Sequence, residues 1–208
     1  MKEIENTAAP VCEASGFRWR LGGIRIDSNR MRVFGIDCGT DCTGYGVVEW
    51  AEFGVAGSRE PCLVALASGG IRLPKSDTMP QKLGFVYREL MLLLAAHQPE
   101  VVAIEEVFYS ANVKSALKLG QIRGVALLAA ANCGLPVAEY APLKIKSSVV
   151  GYGLAQKEQV QFMVTRLLRL ECVPQPADAA DALAVAICHL HTQQTLVAQA
   201  PSGRPGGR

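Results

Sequence analysis

Four acidic residues stand where an apolar run or an alanine-rich segment meets a turn. Asp37 and Glu105 each end a short apolar run, and Asp178 and Asp181 lie three residues apart at the head of an alanine-rich segment. A charged carboxylate at the end of a buried strand costs free energy unless its charge is compensated, and a bound cation is one form of compensation. A hydrogen-bonded turn is another. The set therefore predicts a site at which divalent metal is held against a phosphate.

Each acid also has a purely structural interpretation. Asp37 can hydrogen-bond its own turn, and Asp178, which follows two prolines, can cap a helix. Asp181 is harder to explain in this way because it lies inside an otherwise apolar helix. Glu105 and Glu106 point to opposite faces of the predicted strand, so one of the two is expected to face solvent. For each residue alone, both interpretations remain open.

The four acids together indicate a specific chemistry. Clustered without metal, four carboxylates repel one another and take up protons. Two divalent ions neutralise them and can clamp both the attacking water and the leaving oxygen of an in-line phosphoryl displacement. Hydrolysis of a phosphate diester needs on the order of 20 kcal/mol of help from an enzyme, and a metal pair is a credible source of it. Ligands that are all carboxylates favour magnesium or manganese.

The elements that must position these acids follow from hydrophobic periodicity and from the glycines and prolines between the periodic segments. The order is three strands, a helix, a strand, a helix, a strand and then helices. This order predicts an α/β fold with a mixed five-stranded sheet, a leading antiparallel meander and helices on both faces. The predicted strands are 32–38, 45–50, 63–73, 100–106 and 136–140, and the predicted helices are 78–97, 112–132, 142–150, 156–170 and 177–193.

Composition places the chain in a broad class. At 208 residues, with 50% apolar and 19% charged residues, one globular domain is the expectation. No apolar run approaches the roughly 20 residues of a membrane helix. The seven cysteines are an odd number without a CxxC pair, which favours a reducing compartment and hence the cytoplasm. A zinc site from Cys38, Cys42, His189 and His191 fits no usual ligand spacing.

The basic residues are unevenly distributed along the chain. Residues 111–172 contain eight Lys or Arg and three Glu. Such an excess suits a nucleic-acid partner, with Lys114 and Lys118 as candidate contacts, although solvated helix faces give the same pattern. Residues 1–30 lack periodicity and predict a flexible arm, or sequence upstream of the true start. The nuclease-like domain is expected at 31–193 and a disordered tail at 194–208.

Several longer stretches of the sequence form a recognisable ordered set. They are Gly35-Ile36-Asp37, Thr43-Gly44-Tyr45-Gly46-Val47, Ala103-Ile104-Glu105-Glu106-Val107-Phe108, Ser115-Ala116-Leu117-Lys118-Leu119-Gly120-Gln121, Arg123-Gly124-Val125-Ala126, Lys146 before Val149-Val150-Gly151, and Ala177-Asp178-Ala179-Ala180-Asp181-Ala182-Leu183-Ala184. In these stretches, from residue 31 to residue 193, the chain resembles the RuvC family of Holliday-junction resolvases. Cys38 stands where this family usually has proline, Thr40 where serine is common, and Glu106 where glutamine is more usual.

The resemblance implies a ribonuclease-H-like fold and a homodimer that nicks four-way DNA junctions with magnesium, two ions per subunit, for which manganese substitutes. It assigns catalysis and metal binding to the four acids. It implies DNA contacts at Lys146 and Lys157, and a junction-probing aromatic ring at Phe108. It also implies a partner, the junction-binding and branch-migration motor complex of the RuvA and RuvB type.

Two other functions share part of this pattern. An actin-like phosphotransferase also begins with a strand and an Asp-x-Gly-Thr turn, here 37–40, but it needs a second glycine-rich phosphate turn, and none follows in the sequence. A non-catalytic protein that binds branched DNA would tolerate the loss of an acid, whereas all four are present. Nicking of a four-way junction with magnesium, set against ATP turnover, separates these possibilities.

Overall fold

The strands and helices follow one another in the predicted order. The structure is a computed structural model that describes residues 31–53, 60–106 and 113–199. The elements are β1 (Arg32–Asp37), β2 (Cys42–Phe53), β3 (Glu60–Arg72), α1 (Met79–His97), β4 (Val101–Glu105), α2 (Val113–Asn132), β5 (Val137–Tyr140), α3 (Pro142–Val150), α4 (Lys157–Leu167) and α5 (Ala177–Gln199).

The strands form one five-stranded mixed sheet in the order β3-β2-β1-β4-β5. Strands β1, β2 and β3 pair antiparallel, whereas β4 lies parallel to both β1 and β5. The predicted mixed sheet with a leading meander is therefore confirmed, and it is that of a ribonuclease-H-like fold. Ile36 pairs with Ile104 in the register of β1 and β4. Asp37 and Glu105, the next residue of each strand, consequently end neighbouring parallel strands at one edge of the sheet.

Helices cover both faces of the sheet, as the alternation of buried residues requires. On β1, Val33 belongs to the core cluster that also contains Leu183 and Ile187 of α5. Phe34 and Ile36 point to the other face of the sheet and belong to a second core cluster, which also contains residues of α1 and α2. Helices α3, α4 and α5 thus lie on one face, and α1 and α2 lie on the other.

Helix α5 lies unusually close to β1 and β2 because glycines face it. A Cβ atom at Gly35 would be 2.1 Å from the carbonyl oxygen of Ala182, and one at Gly44 would be 2.0 Å from that of Asp178. Any side chain at these positions would push the helix away from the sheet. The glycines and the alanine-rich helix surface therefore set how near Asp178 and Asp181 come to the strand ends.

The structure corrects some predicted boundaries. The prediction that 194–208 is a disordered tail is wrong for 194–199, because α5 continues to Gln199. No glycine or proline lies between Ala177 and Pro201, so nothing in the sequence stops the helix earlier. The rest of that tail, 200–208, and the predicted arm at 1–30 lie outside the described residues.

The second strand extends beyond the predicted 45–50 at both ends, and the third strand begins before the predicted 63–73. Backbone pairing between β2 and β3 runs from Cys42 opposite Arg72 to Phe53 opposite Glu60. Pairing with a partner strand extends both segments into residues whose own sequence signals a loop.

Within the part of the chain that is described, no helix is long and apolar enough to cross a lipid bilayer.

Candidate active site

The four predicted acids converge at the edge of the sheet where β1 and β4 end. Asp37 is the last residue of β1, and Glu105 is the last residue of β4. Asp178 and Asp181 lie at the start of α5, which the close packing described above holds against β1 and β2. Asp178 is the second residue of the helix, so it lies within the first turn rather than at the cap position. The other three carboxylates are all near enough to Asp37 to act on it electrostatically.

The convergence leaves negative charge uncompensated. Burial, followed by the charges of Glu105, Asp181 and Asp178, raises the pKa of Asp37 from 3.8 to about 8. Burial, followed by the charge of Asp181, raises the pKa of Glu105, and a hydrogen bond with Asp37 opposes that rise. A carboxyl group that holds its proton near neutral pH lacks enough nearby positive charge. The site therefore has the electrostatics of a place that attracts cations.

Two lysines stand beside the acids and supply part of that charge. The Nζ atom of Lys157 lies 2.6 Å from Oδ2 of Asp181, and this hydrogen bond raises the pKa of the lysine. The charge of Lys146 acts in the direction that lowers the pKa of Glu105. Glu105, Lys146, Lys157 and Asp181 share the lining of one cavity of about 210 Å³. The structure thus places two predicted DNA contacts next to the predicted catalytic acids.

A larger cavity of about 390 Å³ lies elsewhere, between α3 and the second half of α5. No carboxylate is among its lining residues, so it does not offer the chemistry of the acid site. The lining is Lys144, Ser147, Ser148, His191, Thr192, Thr195 and Leu196.

Comparison with known proteins agrees with this geometry. The family model described as "Crossover junction endodeoxyribonuclease RuvC" matches residues 33–189. The chain belongs to the RuvC family. The crossover junction endodeoxyribonuclease RuvC of Acidobacterium capsulatum is 66% identical over 169 residues, which are 81% of this chain and 98% of the relative.

Solved structures of RuvC proteins are also similar to this chain. The Thermus thermophilus RuvC structure has a TM-score of 0.69 at 33% identity, covering 79% of this chain and 96% of that one. A second structure, of T. thermophilus RuvC in complex with Holliday junction substrate, has a TM-score of 0.68 at 30% identity with the same coverage. The predicted RuvC family and its fold are therefore confirmed.

The acids fit a hard divalent cation by donor type and by charge. Among residues 31–53, 60–106 and 113–199, no three His, Cys, Asp or Glu side chains are already arranged as a finished metal site. Asp181 instead pairs with Lys157. The donors are nevertheless all carboxylate oxygens, which magnesium prefers, and the raised pKa of Asp37 shows the charge that such an ion would neutralise. His189, in the zinc set weighed above, hydrogen-bonds to the Tyr140 hydroxyl group at 2.8 Å instead.

Two further residues position the acids, and the sequence reasoning did not assign them this role. The Nε atom of Arg123 on α2 donates to the backbone oxygen of Glu105 at 3.3 Å, and its guanidinium group also pairs with Glu139. The thiol of Cys42 hydrogen-bonds the Asp178 carboxylate, and burial together with that carboxylate raises the pKa of the thiol to about 11. Arg123 is the one charged residue in 119–132. That isolation was a signal that it has a specific partner.

The remaining predicted DNA contacts are less closely tied to the acids. Lys114 and Lys118 are exposed in the first two turns of α2. Phe108 lies in 107–112, outside the described residues. For these three residues, DNA binding stays a prediction.

Proposed function

We propose that this chain is an endonuclease that resolves four-way DNA junctions by paired, symmetric nicks in recombination and repair. The observation that supports this most strongly is the convergence of four carboxylates, beside two lysines, in a member of the RuvC family. A relative in that family, from Thermus thermophilus, has been solved with Holliday junction substrate. We place the protein in the cytoplasm, where chromosomal DNA and reduced cysteines coexist.

Asp37, Glu105, Asp178 and Asp181 would hold magnesium, two ions per subunit, with manganese as a substitute. When bound, the metal supplies the positive charge that activates a water molecule and stabilises the leaving oxygen of the phosphodiester. Asp37 must lose its proton to act as a ligand, because burial and the neighbouring acids raise its pKa to about 8. Burial also raises the pKa of Glu105. Their strands hold them in fixed positions through the sheet hydrogen bonds, so the ligand oxygens are preorganised.

The lysines bind the DNA backbone at the same place. Lys146 and Lys157 line the acid cavity and offer ammonium groups to phosphate oxygens. Lys157 is then shared between the DNA and Asp181, with which it pairs in the free protein. Lys114 and Lys118, in the first two turns of α2, extend the contact with the phosphates. The ring of Phe108 is proposed to stack on an unpaired base.

A homodimer supplies the second nick. One chain contains one set of acids and cuts one strand, whereas resolution takes two cuts related by two-fold symmetry, which a symmetric dimer provides. The small residues of α2 predict this helix as the dimer interface; they are Ala116, Gly120, Gly124, Ala126 and Ala129. The prediction is wrong for Ala126 and Ala129, which are buried in the core of the chain itself. Gly120 and Gly124 do face open space.

The exposed side of α2 remains suited to a second copy of the chain. Leu117 and Leu128 are 64% and 52% exposed, and Gly120 and Gly124 lie between them at helical spacing. Apolar side chains around glycines let a second helix approach closely. The branch-migration motor complex of the RuvA and RuvB type is the further partner that we propose, since it acts on the same DNA junctions.

Cleavage of a synthetic four-way junction tests the proposed function. Wild-type protein should nick the junction only when magnesium or manganese is added, and Glu105→Gln should bind the junction but leave it intact. Glu106→Gln is the matched control, because it changes the adjacent acid, and it should retain activity. ATP turnover without nicking would instead support a phosphotransferase, and junction binding without nicking under any metal would support a non-catalytic binder.

The dimer has a separate test on a supercoiled plasmid that extrudes a cruciform. Paired nicks linearise the plasmid, whereas single nicks give open circles. A bulky change, Gly124→Leu, should weaken the dimer in analytical ultracentrifugation and shift the product from linear to open circular. A wild-type protein that stays monomeric on the junction and still linearises the plasmid would refute the dimer.

A further inference from the structure

Three large apolar side chains lie exposed at the corner where α3 turns into α4. Leu154 is 81% exposed, Leu143 is 60% exposed and Tyr152 is 47% exposed. The turn packs on the start of α3, since a Cβ atom at Gly153 would lie 3.5 Å from the Cβ atom of Leu143. The three side chains therefore belong to one surface, named here the α3–α4 corner and made of Leu143, Tyr152 and Leu154.

The corner adjoins the acid site through both of its lysines. Leu143 and Lys146 are three residues apart on α3, so they share a helix face. Leu154 precedes Lys157 by three residues, and Lys157 reaches Asp181 at 2.6 Å. The apolar corner is thus flanked on both sides by cations that also line the catalytic cavity.

The corner is held in place before any partner binds. The hydroxyl group of Tyr152 donates to Oε1 of Gln159 at 2.8 Å, and the backbone N–H of Gln156 donates to the same oxygen at 2.8 Å. Gly151 ends α3 with φ 98°, a left-handed conformation that favours glycine, and its N–H donates to the carbonyl oxygen of Ser147. A preorganised surface binds without the entropy cost of ordering a loop.

We propose that the α3–α4 corner contacts one DNA arm at the branch point and contributes to the preference for a junction over a linear duplex. This inference rests on the proposed function. DNA is the occupant that the surroundings favour, because the two flanking lysines place phosphates next to the corner. Phosphate contacts set position but do not distinguish DNA forms. Apolar wedges and aromatic rings instead contact sugars and bases, which are accessible where base stacking is interrupted.

Substitution of the corner tests this role in the full chain. The double variant Tyr152→Ala/Leu154→Ser should bind a four-way junction about tenfold more weakly, as expected for the loss of one base-to-aromatic contact. Affinity for a linear duplex should change by about twofold at most, and the dependence of junction affinity on salt should stay the same because the lysines remain. Binding is measured by fluorescence anisotropy with calcium in place of magnesium, and single-turnover nicking is measured with magnesium.

Two comparison variants separate the contact from folding effects. Tyr152→Phe retains the ring and should keep most of the junction affinity. Leu196→Ser removes another exposed leucine, 55% exposed on α5, which lies about 22 Å along the helix from Asp181. This control should bind and cut like the wild type. All variants should melt within a few degrees of the wild type, because Leu154 and Leu196 are mostly exposed and Tyr152 is about half exposed.

Several outcomes would overturn the proposal. Unchanged junction affinity in the double variant would show that the corner does not touch DNA. An equal loss on junction and duplex would show that it does not distinguish them. Loss of the dimer in ultracentrifugation would assign the corner to a contact between subunits. A wild-type protein that neither binds nor cuts junctions would overturn the proposed function itself, whereas normal wild-type cutting with unaffected variants would overturn this inference alone.

Discussion

Replacing Gly44 by alanine tests whether the position of α5 controls activity. Gly44 pairs with Asp37 across β1 and β2, and a Cβ atom there would lie 2.0 Å from the carbonyl oxygen of Asp178 and 2.4 Å from its carbonyl carbon. Ordinary contact needs roughly 3.5 Å, so the start of α5 must retreat by more than about 1 Å. A misplacement of about 1 Å in a catalytic constellation can reduce the rate about 100-fold. The overpacking itself costs about 1–3 kcal/mol of unfolding free energy.

The assay compares cleavage with stability in the same variant. Single-turnover nicking at saturating junction and magnesium should fall about 100-fold, while the melting temperature falls by about 2–4 °C for each kcal/mol lost. Gly84→Ala is the matched control, because the nearest atom to its new Cβ is the end of the Arg88 side chain at 3.6 Å. This control should cut normally and melt no lower than the wild type, since alanine favours the helix. A Gly44→Ala protein that cuts within about threefold of the wild-type rate would show that the position of α5 does not control activity.

Three further predictions follow from the site and the chain ends. Because burial and neighbouring acids raise the pKa of Asp37 from 3.8 to about 8, the folded metal-free protein holds a proton that the unfolded chain releases, so its melting temperature should fall as pH rises through that interval. Magnesium should raise the melting temperature more above pH 8 than below pH 6, and Asp37→Asn should flatten the profile; a flat wild-type profile would contradict this. Phe108→Ala should strongly reduce junction resolution, and a large fall in melting temperature would show that the ring is in the core instead. A chain that begins at Met31 should fold and cut, losing only salt-sensitive DNA affinity, and an insoluble or inactive product would show that 1–30 belongs to the fold.

The positions of the acids were predictable to different degrees. Asp37 and Glu105 end apolar runs, and parallel strands of one sheet bring such ends to the same edge, so their proximity follows from the strand order. The alanines around Asp178 and Asp181 indicate that this helix can approach the sheet closely. The distance between the helix and the sheet could not be predicted, because it depends on which glycines of the strands face the helix. The sequence alone does not mark Gly44 as a glycine that faces the helix, because its role depends on the contact between β2 and α5.

Contacts between distant parts of the chain were the least predictable. The hydrogen bond from Arg123 to Glu105 joins α2 to β4, and the ion pair of Lys157 with Asp181 joins α4 to α5. Periodicity describes one segment at a time and does not say which helix covers which face of the sheet. For the same reason, the small residues of α2 were predicted as one interface. In the structure, Ala126 lies in the core and Gly124 faces open space.

The catalytic role of the acid cluster is tested by magnesium-dependent nicking of a four-way junction by Asp37→Asn. This change preserves the size of the side chain, removes the carboxyl group that would bind metal at the end of β1, and leaves Lys146 and Lys157 in place. Nicking is measured at saturating magnesium, and binding of the same junction is measured in calcium. Asp37→Asn should bind the junction within about twofold of the wild-type affinity and should give no detectable nicks. Substantial nicking by Asp37→Asn would contradict the assignment of the acids as the catalytic metal site.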